Sequence, residues 1–350
     1  MKVGLLLNSN NKLVSYSEKY KTILVRNGIP HCLIDPNSES LLSDLKECSH
    51  LLFHHSQGDT DLKIYDTIYN IATKVFGIKC LPDHNSFWQY EDKIKEYYLL
   101  KSNDFPTVDS HIFWNIEYAD AFLKNAKYPI VAKLPKGAAS SNVVLVKTPE
   151  EGRAINKQVF IHGVKAGKLN NSSNLRSIRR SGLYKYGKRS VRSFLIDRGI
   201  LRDKSYYPEW QIQKDAVLYQ KFLPNNSYDQ RIHIIGKRAT GFRRLVREND
   251  FRASGSRKFD FDPQNIDPRC IEISFSISRK FNFSAMGYDF IYDENNNPYI
   301  NEFGYSFADY VIEKLPGYWD ENLVWHEEKN GPQYYQLADF LQTDLKFGSE

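Results

Sequence analysis

Short apolar segments alternate with longer amphipathic segments over the first 85 residues of the chain. The apolar segments predict buried strands at residues 3–7, 31–34 and 50–54. The amphipathic segments have helical periodicity at residues 15–25, 41–45 and 62–75. Alternation of strands and helices at this spacing is typical of a parallel sheet with helices on its faces. No G-x-G-x-x-G follows the first strand, so the pattern does not indicate dinucleotide binding there.

The regular alternation stops after residue 85. A helix is predicted from Ser86, as its N-cap, to residue 101. Strands at 128–133 and 143–146 then flank a loop of small residues at 135–142, and this arrangement is typical of a cover over phosphate groups. One further strand is predicted at 216–222.

Two hairpins are predicted in the last third of the chain, at residues 231–245 and 286–303, with a helix at 266–281 between them. The second hairpin turns through six residues. If it is symmetric about that turn, Asp289 and Glu302 lie directly opposite each other. Opposed residues on paired strands have Cβ atoms about 4.5–5.5 Å apart and share a face of the sheet.

Two carboxylates so placed repel each other unless a cation lies between them. Mg²⁺ is the natural cation, because it binds one or two carboxylates and completes its shell with phosphate oxygens and water. The alternative is a solvated sheet edge with two unrelated acids. The same register places Tyr292 opposite Tyr299 and Phe290 opposite Asn301.

Composition narrows the class of protein. The 350 residues are 41% apolar and 14% aromatic, and this apolar and aromatic content is higher than that of disordered chains. The length predicts two or three domains. No run of about 18 apolar residues is present, so we expect no membrane span. The four cysteines are widely separated, which favours reduced thiols in a cytoplasmic protein over a disulfide framework or zinc site.

The formal charge of +6 is unevenly distributed. Residues 151–205 contain 14 Lys and Arg against three Asp and Glu, a net charge of +11, so the rest of the chain carries −5. This basic insertion has three interpretations. It is a solvated extension, a surface for an acidic or phosphorylated substrate such as an anionic polysaccharide, or a nucleic-acid-binding segment. The last is the least favoured, and it would make the protein a nucleic-acid binder with a decayed ATP fold.

Several cationic residues occur at positions that suit anion binding. Lys133 ends an apolar strand just before the small-residue loop. Asp229 and Arg231 share a face by strand alternation. Arg252 lies in a later run of arginines and small residues, where guanidinium groups match carboxylate and phosphate. The sequence around Lys93, taken by itself, predicts only a solvent-exposed helix face. For Lys133 and the arginines, the alternative is likewise that they are ordinary solvent-exposed residues.

The order of these elements resembles the ATP-grasp superfamily, and most closely the glutathione synthetase and ribosomal-protein glutamate ligase (RimK-like) branch. The resemblance covers roughly residues 86–310. It implies an α/β protein, α+β in its catalytic part, with a Rossmann-like domain before a two-subdomain ATP-grasp fold. The implied domains are a Rossmann-like domain at 1–85, a lid subdomain at 86–222 with the insertion at 151–205, and a C-terminal subdomain at 223–350 carrying a metal site.

The resemblance also implies residue roles. ATP would be bound by a set spread over both subdomains: Lys93, Lys133, Ser140, Ser141, Gln220, Lys221, Leu223 and Asp229. The transferred phosphoryl group would be steadied by Arg231 and Arg252, and Mg²⁺ would be bound by Asp289 and Glu302.

Two positions depart from the family's pattern. Gln220 replaces the Glu that usually opens the adenine-binding strand. The last motif usually reads Glu-x-Asn, but this chain has Gly304 two residues after Glu302. Asn301 faces the other side of an ideal strand, so we expect either that Ser306 or water completes the metal shell instead or that a second Mg²⁺ binds weakly.

The function implied is an ATP-dependent carboxylate–amine ligase that forms an amide through an acyl phosphate. Its partners would be a small or polymer-linked carboxylate and an amine. An ATP-grasp kinase acting on a hydroxyl acceptor is the alternative. Ligases of this kind are often dimeric, so a homodimer is a further expectation. The sequence identifies neither the acid nor the amine.

Overall fold

The computed structural model describes residues 1–54, 58–137, 141–164, 169, 212–247, 251–253, 256–328 and 330–346. The chain forms two compact units. The first contains Met1–Tyr90, Lys95–Thr107 and Leu223–Glu350, and the second contains Glu91–Ile94 and Val108–Phe222. Most of the basic insertion at 151–205 lies outside the described residues. The division into three domains stays a prediction.

The first unit begins with a four-stranded parallel sheet in the order β2-β1-β3-β4. The strands are β1 Val3–Leu6, β2 His31–Ile34, β3 His50–Leu52 and β4 Lys79–Leu81. The helices between them are α1 Ser15–Arg26, α2 Leu41–Lys46 and α3 Asp59–Lys74. The predicted parallel α/β arrangement is confirmed, although strand β4 was not foreseen.

The predicted helix over 86–101 is wrong, because the chain forms two short helices instead. The first, α4 His84–Phe87, is capped by Asp83, which accepts a hydrogen bond from the Ser86 backbone N–H at 3.1 Å. Glu91 then adopts a left-handed backbone conformation, with φ +57°, which interrupts the helix. The second helix, α5, runs over Lys93–Lys101, so Lys93 is its first residue.

The second sheet of the first unit has the order β13-β12-β9-β10-β14-β15, with β11 paired to β10. Its long central strands are β9 Tyr228–Ile235, β10 Arg238–Leu245, β12 Ala285–Tyr292 and β13 Pro298–Gly304. The short strands are β11 Phe259–Asp260, β14 Tyr318–Trp319 and β15 Trp325–His326. Three helices accompany it: α8 Pro268–Phe281, α9 Asp309–Ile312 and α10 Pro332–Leu341. The two predicted hairpins are present.

Side chains of this sheet alternate between two different surroundings. On one face, Ile232, Tyr288, Phe290 and Ile300 are almost fully buried, and they pack in one core with Phe275 of α8. The other face carries charged residues from the same strands, and beside them Ile235 and Phe242, which are buried in a second core. The burial of apolar residues on the first face fixes the register of the strands, and therefore fixes which charged residues meet on the second face.

The second unit contains an antiparallel sheet in the order β5-β8-β6-β7. Its strands are β5 Ser110–Phe113, β6 Ile130–Lys133, β7 Val143–Val146 and β8 Val217–Lys221. Its helices are α6 Ile116–Asn125 and α7 Pro149–Lys157, and a π-helical turn, Gln158–His162, extends α7. Among the helices at residues that the structure describes, none combines the length and the apolar content that a membrane span requires.

Candidate active site

Four neighbouring strands bring charged residues together on the face opposite Ile232, Tyr288 and Phe290. The β9–β10 register places Asp229 opposite Arg244. The β9–β12 register places Arg231 opposite Asp289. The β12–β13 register places Asp289 opposite Glu302, as predicted. The five side chains therefore form one polar row across the sheet.

Two acids and two arginines in this row form a buried ion-pair cluster. Arg244 donates to both oxygens of Asp229, at 2.7 and 2.6 Å, and also to Oδ2 of Asp289 at 2.6 Å. Arg231 donates to both oxygens of Asp289, at 2.5 and 2.6 Å. We call this set, Asp229, Arg231, Arg244 and Asp289, the ion-pair cluster. Paired, fork-shaped contacts of this kind fix side-chain geometry as well as charge.

The members of the cluster differ in exposure. The Arg231 side chain is 26% exposed, whereas the side chains of Arg244, Asp229 and Asp289 are 9%, 9% and 6% exposed. Arg231 is therefore the member that an anionic ligand could reach. Arg244 lies between the two carboxylates and positions them.

Burial and charge set the protonation of these groups. Burial would raise the pKa of Asp289, but the charges of Arg231 and Arg244 outweigh it and hold the pKa well below its usual range. For Asp229 burial dominates, so its pKa is raised despite Arg244. Burial lowers the pKa of Arg244, but the two carboxylates more than offset this and raise it. Asp289 and Arg244 are therefore charged at neutral pH.

The hairpin that carries Asp289 and Glu302 contains a β-bulge. The pairs nearer the turn are Phe290 with Ile300 and Tyr292 with Pro298, so the predicted pairs in that half are wrong by one residue. The register shifts between Asp289 and Phe290, which restores the Asp289–Glu302 pair. The turn consequently has five residues, and Asn301 is the extra residue of the bulge.

The charges that neutralise Asp289 in the structure are guanidinium groups. Among the described residues, no three His, Cys, Asp or Glu side chains cluster closely enough to hold a metal by themselves. Mg²⁺ needs only one or two carboxylates when phosphate supplies other ligands, and the carboxylate oxygens on this face suit a hard cation. The metal role of Asp289 and Glu302 fits this donor set and stays a prediction. A metal at Asp289 would share its carboxylate with Arg231.

Ser306, the predicted supplementary ligand, has another contact. Its hydroxyl lies 3.0 Å from Nε2 of His54, just after strand β3. The His54 ring stacks on Tyr16 with centroids 4.0 Å apart. Burial lowers the pKa of His54 to about 4, so this ring is neutral at pH 7.

Two buried lysines flank the small-residue loop of the second unit. Lys93 is 5% exposed, so the solvated helix face favoured by its local sequence is wrong. Its Nζ donates to the carbonyl oxygen of Gly137 at 2.8 Å. Lys133 is 4% exposed and ends β6 between β7 and β8. A Cβ at Gly137 would lie 2.5 Å from the carbonyl oxygen of Ser141, so the loop requires glycine there.

The remaining predicted site residues lie at separate places in the structure. Gln220 is buried in β8, and its Nε2 donates to Oγ of Ser110 at 3.3 Å. Lys221 ends the same strand and is exposed, and Leu223 follows it, half-buried. Arg252 is half-buried, with its guanidinium 5.7 Å from the ring centre of Phe251. Ser140 lies outside the described residues.

Arg244 is the member of the site that the sequence interpretation missed. A two-residue turn at Gly236 and Lys237 joins β9 to β10, and it makes the hairpin symmetric. Counting outward from that turn pairs Asp229 with Arg244. The same reasoning that paired Asp289 with Glu302 would therefore have found it.

One family model matches the part of the chain that carries these residues. Residues 204–317 match the family model of the RimK-like ATP-grasp domain, a stretch that contains the whole ion-pair cluster and Glu302. A search of curated protein sequences finds no match to this chain.

Solved structures resemble nearly the whole chain. The RimK domain protein ATP-grasp from Sphaerobacter thermophilus DSM 20745 is 12% identical, with a TM-score of 0.54 and coverage of 98% of this chain and 100% of that one. Macrocyclase MdnC from Microcystis aeruginosa MRC, bound with precursor peptide MdnA, is 11% identical. Its TM-score is 0.57, and the match covers 98% of this chain and 99% of that one. N5-carboxyaminoimidazole ribonucleotide synthetase from Thermotoga maritima is 12% identical. Its TM-score is 0.54, and the match covers 99% of this chain and 77% of that one. At these identities the likeness establishes the fold. Residues 204–317 are therefore similar to the RimK-like ATP-grasp domain, and the chain shares the fold of these three solved proteins.

Proposed function

We propose that this protein is an ATP-dependent ligase that joins a carboxylate to an amine. The ion-pair cluster carries the proposal, because it leaves one guanidinium, that of Arg231, accessible beside a row of acids. The match to the RimK-like ATP-grasp domain over residues 204–317 supports it. So do the names of two of the similar solved proteins, macrocyclase MdnC and N5-carboxyaminoimidazole ribonucleotide synthetase.

The proposed reaction has two steps. An oxygen of the substrate carboxylate attacks the γ-phosphorus of ATP, the bond to the bridging oxygen breaks, and ADP leaves with that electron pair. The amine nitrogen then attacks the carbonyl carbon of the acyl phosphate, loses a proton, and displaces inorganic phosphate. Arg231 stabilises the negative charge that develops on the transferred phosphoryl group, and Arg252 acts on the same charge. Arg244 positions Asp229 and Asp289 and does not touch substrate.

ATP would be bound mainly by the second unit. The buried lysines Lys93 and Lys133 would neutralise its phosphates, and the loop from Gly137 to Asn142 would cover them. Strand β8 with Gln220 and Lys221 would bind adenine. Asp289 and Glu302 would hold Mg²⁺, which supplies positive charge to the phosphate oxygens when it is bound.

The acid is proposed to be anionic beyond its reacting carboxylate. The +11 charge of residues 151–205 supports a small or polymer-linked acidic substrate. A nucleic-acid partner would also satisfy this charge, and it predicts binding that falls steeply as salt rises. Cytoplasmic location and a homodimer are further parts of the proposal.

The decisive experiment is a screen of acids against amines with purified protein and Mg²⁺–ATP. ADP and free phosphate are measured separately, and the amide is identified by mass spectrometry. A ligase gives equal amounts of ADP, phosphate and amide. A kinase gives ADP while the phosphate stays on the acceptor. ATP binding without ADP formation from any pair would refute both activities.

A matched pair of variants connects the activity to the site. Arg231→Met removes the accessible guanidinium of the cluster, and we expect turnover to fall by about 10²–10³-fold, as for other lost transition-state donors. Lys237→Met changes an exposed cation at the far end of the same strand pair and should leave turnover unchanged. Equal activity of the two variants would exclude Arg231 from the reaction.

A further inference from the structure

The bulge in the β12–β13 hairpin changes which side chains face the ion-pair cluster. Asp289 pairs with Glu302 and its neighbour Phe290 pairs with Ile300, so two residues of β13, Asn301 and Glu302, stand opposite one residue of β12. In a regular strand, adjacent residues would point to opposite faces. A bulge alters that alternation locally and re-aims a side chain.

Burial shows where the two side chains point. Ile300 is 1% exposed and Phe303 is 3% exposed, and both pack in the same core. The two residues between them are half-buried. If the alternation were regular, Ile300 and Phe303 would lie on opposite faces. Because they share one face, Asn301 and Glu302 share the other, together with Asp289. The expectation that Asn301 faces away from this site is therefore wrong.

Contacts along the outer edge of β13 hold the bulge in place. The Ile300 backbone N–H donates to the carbonyl oxygen of Pro106 at 2.9 Å, and the Thr107 hydroxyl donates to the Ile300 carbonyl oxygen at 3.3 Å. Beyond the bulge, the Phe303 N–H donates to the carboxylate of Glu96 at 3.2 Å. Backbone groups on both sides of the bulge are thus anchored, which holds the bulge at Asn301.

Gly304 leaves space on the same face. It lies two residues after Glu302, where the family's pattern has an amide side chain. A Cβ built on Gly304 would meet one nearby atom, Cδ2 of Tyr90 at 4.0 Å, so the backbone would accept a side chain that the sequence does not supply. The amide nearest in sequence to Glu302 is that of Asn301, on the other side of the carboxylate.

We propose that Asn301 replaces the missing amide ligand, with its Oδ1 binding the divalent cation beside Glu302. The proposal rests on the proposed ligase function, because that function supplies the Mg²⁺–ATP. Carboxylate and amide oxygens both suit a hard cation. The bulge makes this replacement possible, because it turns the amide of Asn301 from the core face of β13 to the face that carries Asp289 and Glu302.

The test measures metal binding directly. Mn²⁺ is titrated into the full-length protein with a non-hydrolysable ATP analogue, and free Mn²⁺ is followed by electron paramagnetic resonance. We expect Asn301→Ala to weaken Mn²⁺ binding in this complex about tenfold, in the range found for lost metal-site partners. Asn301→Asp keeps an oxygen ligand and should bind at least as tightly as wild type. Asn295→Ala, in the exposed turn of the same hairpin, is the matched control and should not change binding.

The outcomes separate the two proposals. If wild type forms ADP but Asn301→Ala binds Mn²⁺ normally, the ligand assignment is wrong and the ligase proposal stands. If wild type binds no Mn²⁺ with the nucleotide analogue, the ligand assignment also fails. If wild type forms no ADP with any acid and amine but the Mn²⁺ results hold, only the ligase proposal fails. Should Asn301→Ala not fold, Asn301→Ser replaces it, with the same weakening expected because serine is shorter.

Discussion

Replacing Arg244 with Met removes the guanidinium that contacts both acids of the ion-pair cluster while keeping much of the side-chain volume. Asp289 retains Arg231 as a partner. Asp229 loses both of the hydrogen bonds that Arg244 donates to it, although its side chain is only 9% exposed. Breaking a buried ion pair by removing one partner costs about 3–5 kcal/mol. We expect Arg244→Met to lower the free energy of unfolding by that amount at pH 8.

The loss should depend on pH in a defined direction. Burial already raises the pKa of Asp229, and without Arg244 only the charge of Arg231 opposes this within the cluster, so the pKa rises further in the variant. An acid with a raised pKa in the folded state binds protons more tightly when folded, so stability increases as the pH falls. The slope cannot exceed about 1.36 kcal/mol per pH unit for one group. The defect of Arg244→Met should therefore be largest at pH 8 and shrink towards pH 5.

Urea unfolding at pH 5, 6, 7 and 8 measures these effects. The double variant Asp229→Asn, Arg244→Met removes the stranded charge, and it should be more stable than Arg244→Met at pH 8. Lys237→Met changes an exposed cation whose Nζ lies 3.9 Å from Glu321, and such a pair is worth less than about 1 kcal/mol. A loss below about 1 kcal/mol for Arg244→Met, or an equal loss at every pH, would refute the assigned role of the buried charge.

Three further predictions use buried groups elsewhere. Lys93→Met should raise the KM for ATP at least about tenfold, because one lost hydrogen bond to a charged group costs about 1.5–3 kcal/mol. Steady-state kinetics measure this, and Lys95→Met, which changes an exposed lysine of the same helix, is the control. A thiol reagent at pH 8 should label Cys32 in the native protein. Burial raises the pKa of the other three cysteines to about 12, so they should react only after denaturation. Four fast-reacting thiols in an absorbance assay of the native protein would contradict this. Because burial lowers the pKa of His54 to about 4, stability should fall as the pH drops from about 6.5 towards 4; His54→Gln should flatten that slope in urea unfolding, and an unchanged slope would exclude His54 as its cause.

Local periodicity was sufficient for much of the fold. The N-terminal alternation predicted α1 and α2 closely, and the apolar residues of β9 and β12 predicted two hairpins. These elements bury one face, so their sequence records which residues point inward. Strands β3 and β4 are both three residues long, but the apolar residues of β3 continue into Phe53, whereas in β4 the exposed Lys79 precedes and Pro82 follows the apolar pair. So short an apolar segment carries no readable period.

The burial of Lys93 could not be read from its neighbours. Its segment is rich in charged and tyrosine residues, which is typical of a solvated helix. The burial depends on Gly137, 44 residues later, whose carbonyl oxygen accepts the hydrogen bond from Nζ. Contacts of that range depend on tertiary packing, which a single sequence without homologues does not report.

The Asp289–Glu302 pair was predicted correctly from a register that holds for only half of the hairpin. The five-residue turn sets Tyr292 opposite Pro298, and continuing that register unchanged would place Glu302 opposite Tyr288. Tyr288 is fully buried in the core, so an unpaired carboxylate there would cost several kcal/mol. The extra residue Asn301 moves Glu302 to the face of Asp289 and leaves the turn unaltered. The bulge therefore lets one hairpin satisfy its turn, its core and its charged face together, and this explains why Asn301 is positioned to act beside Glu302.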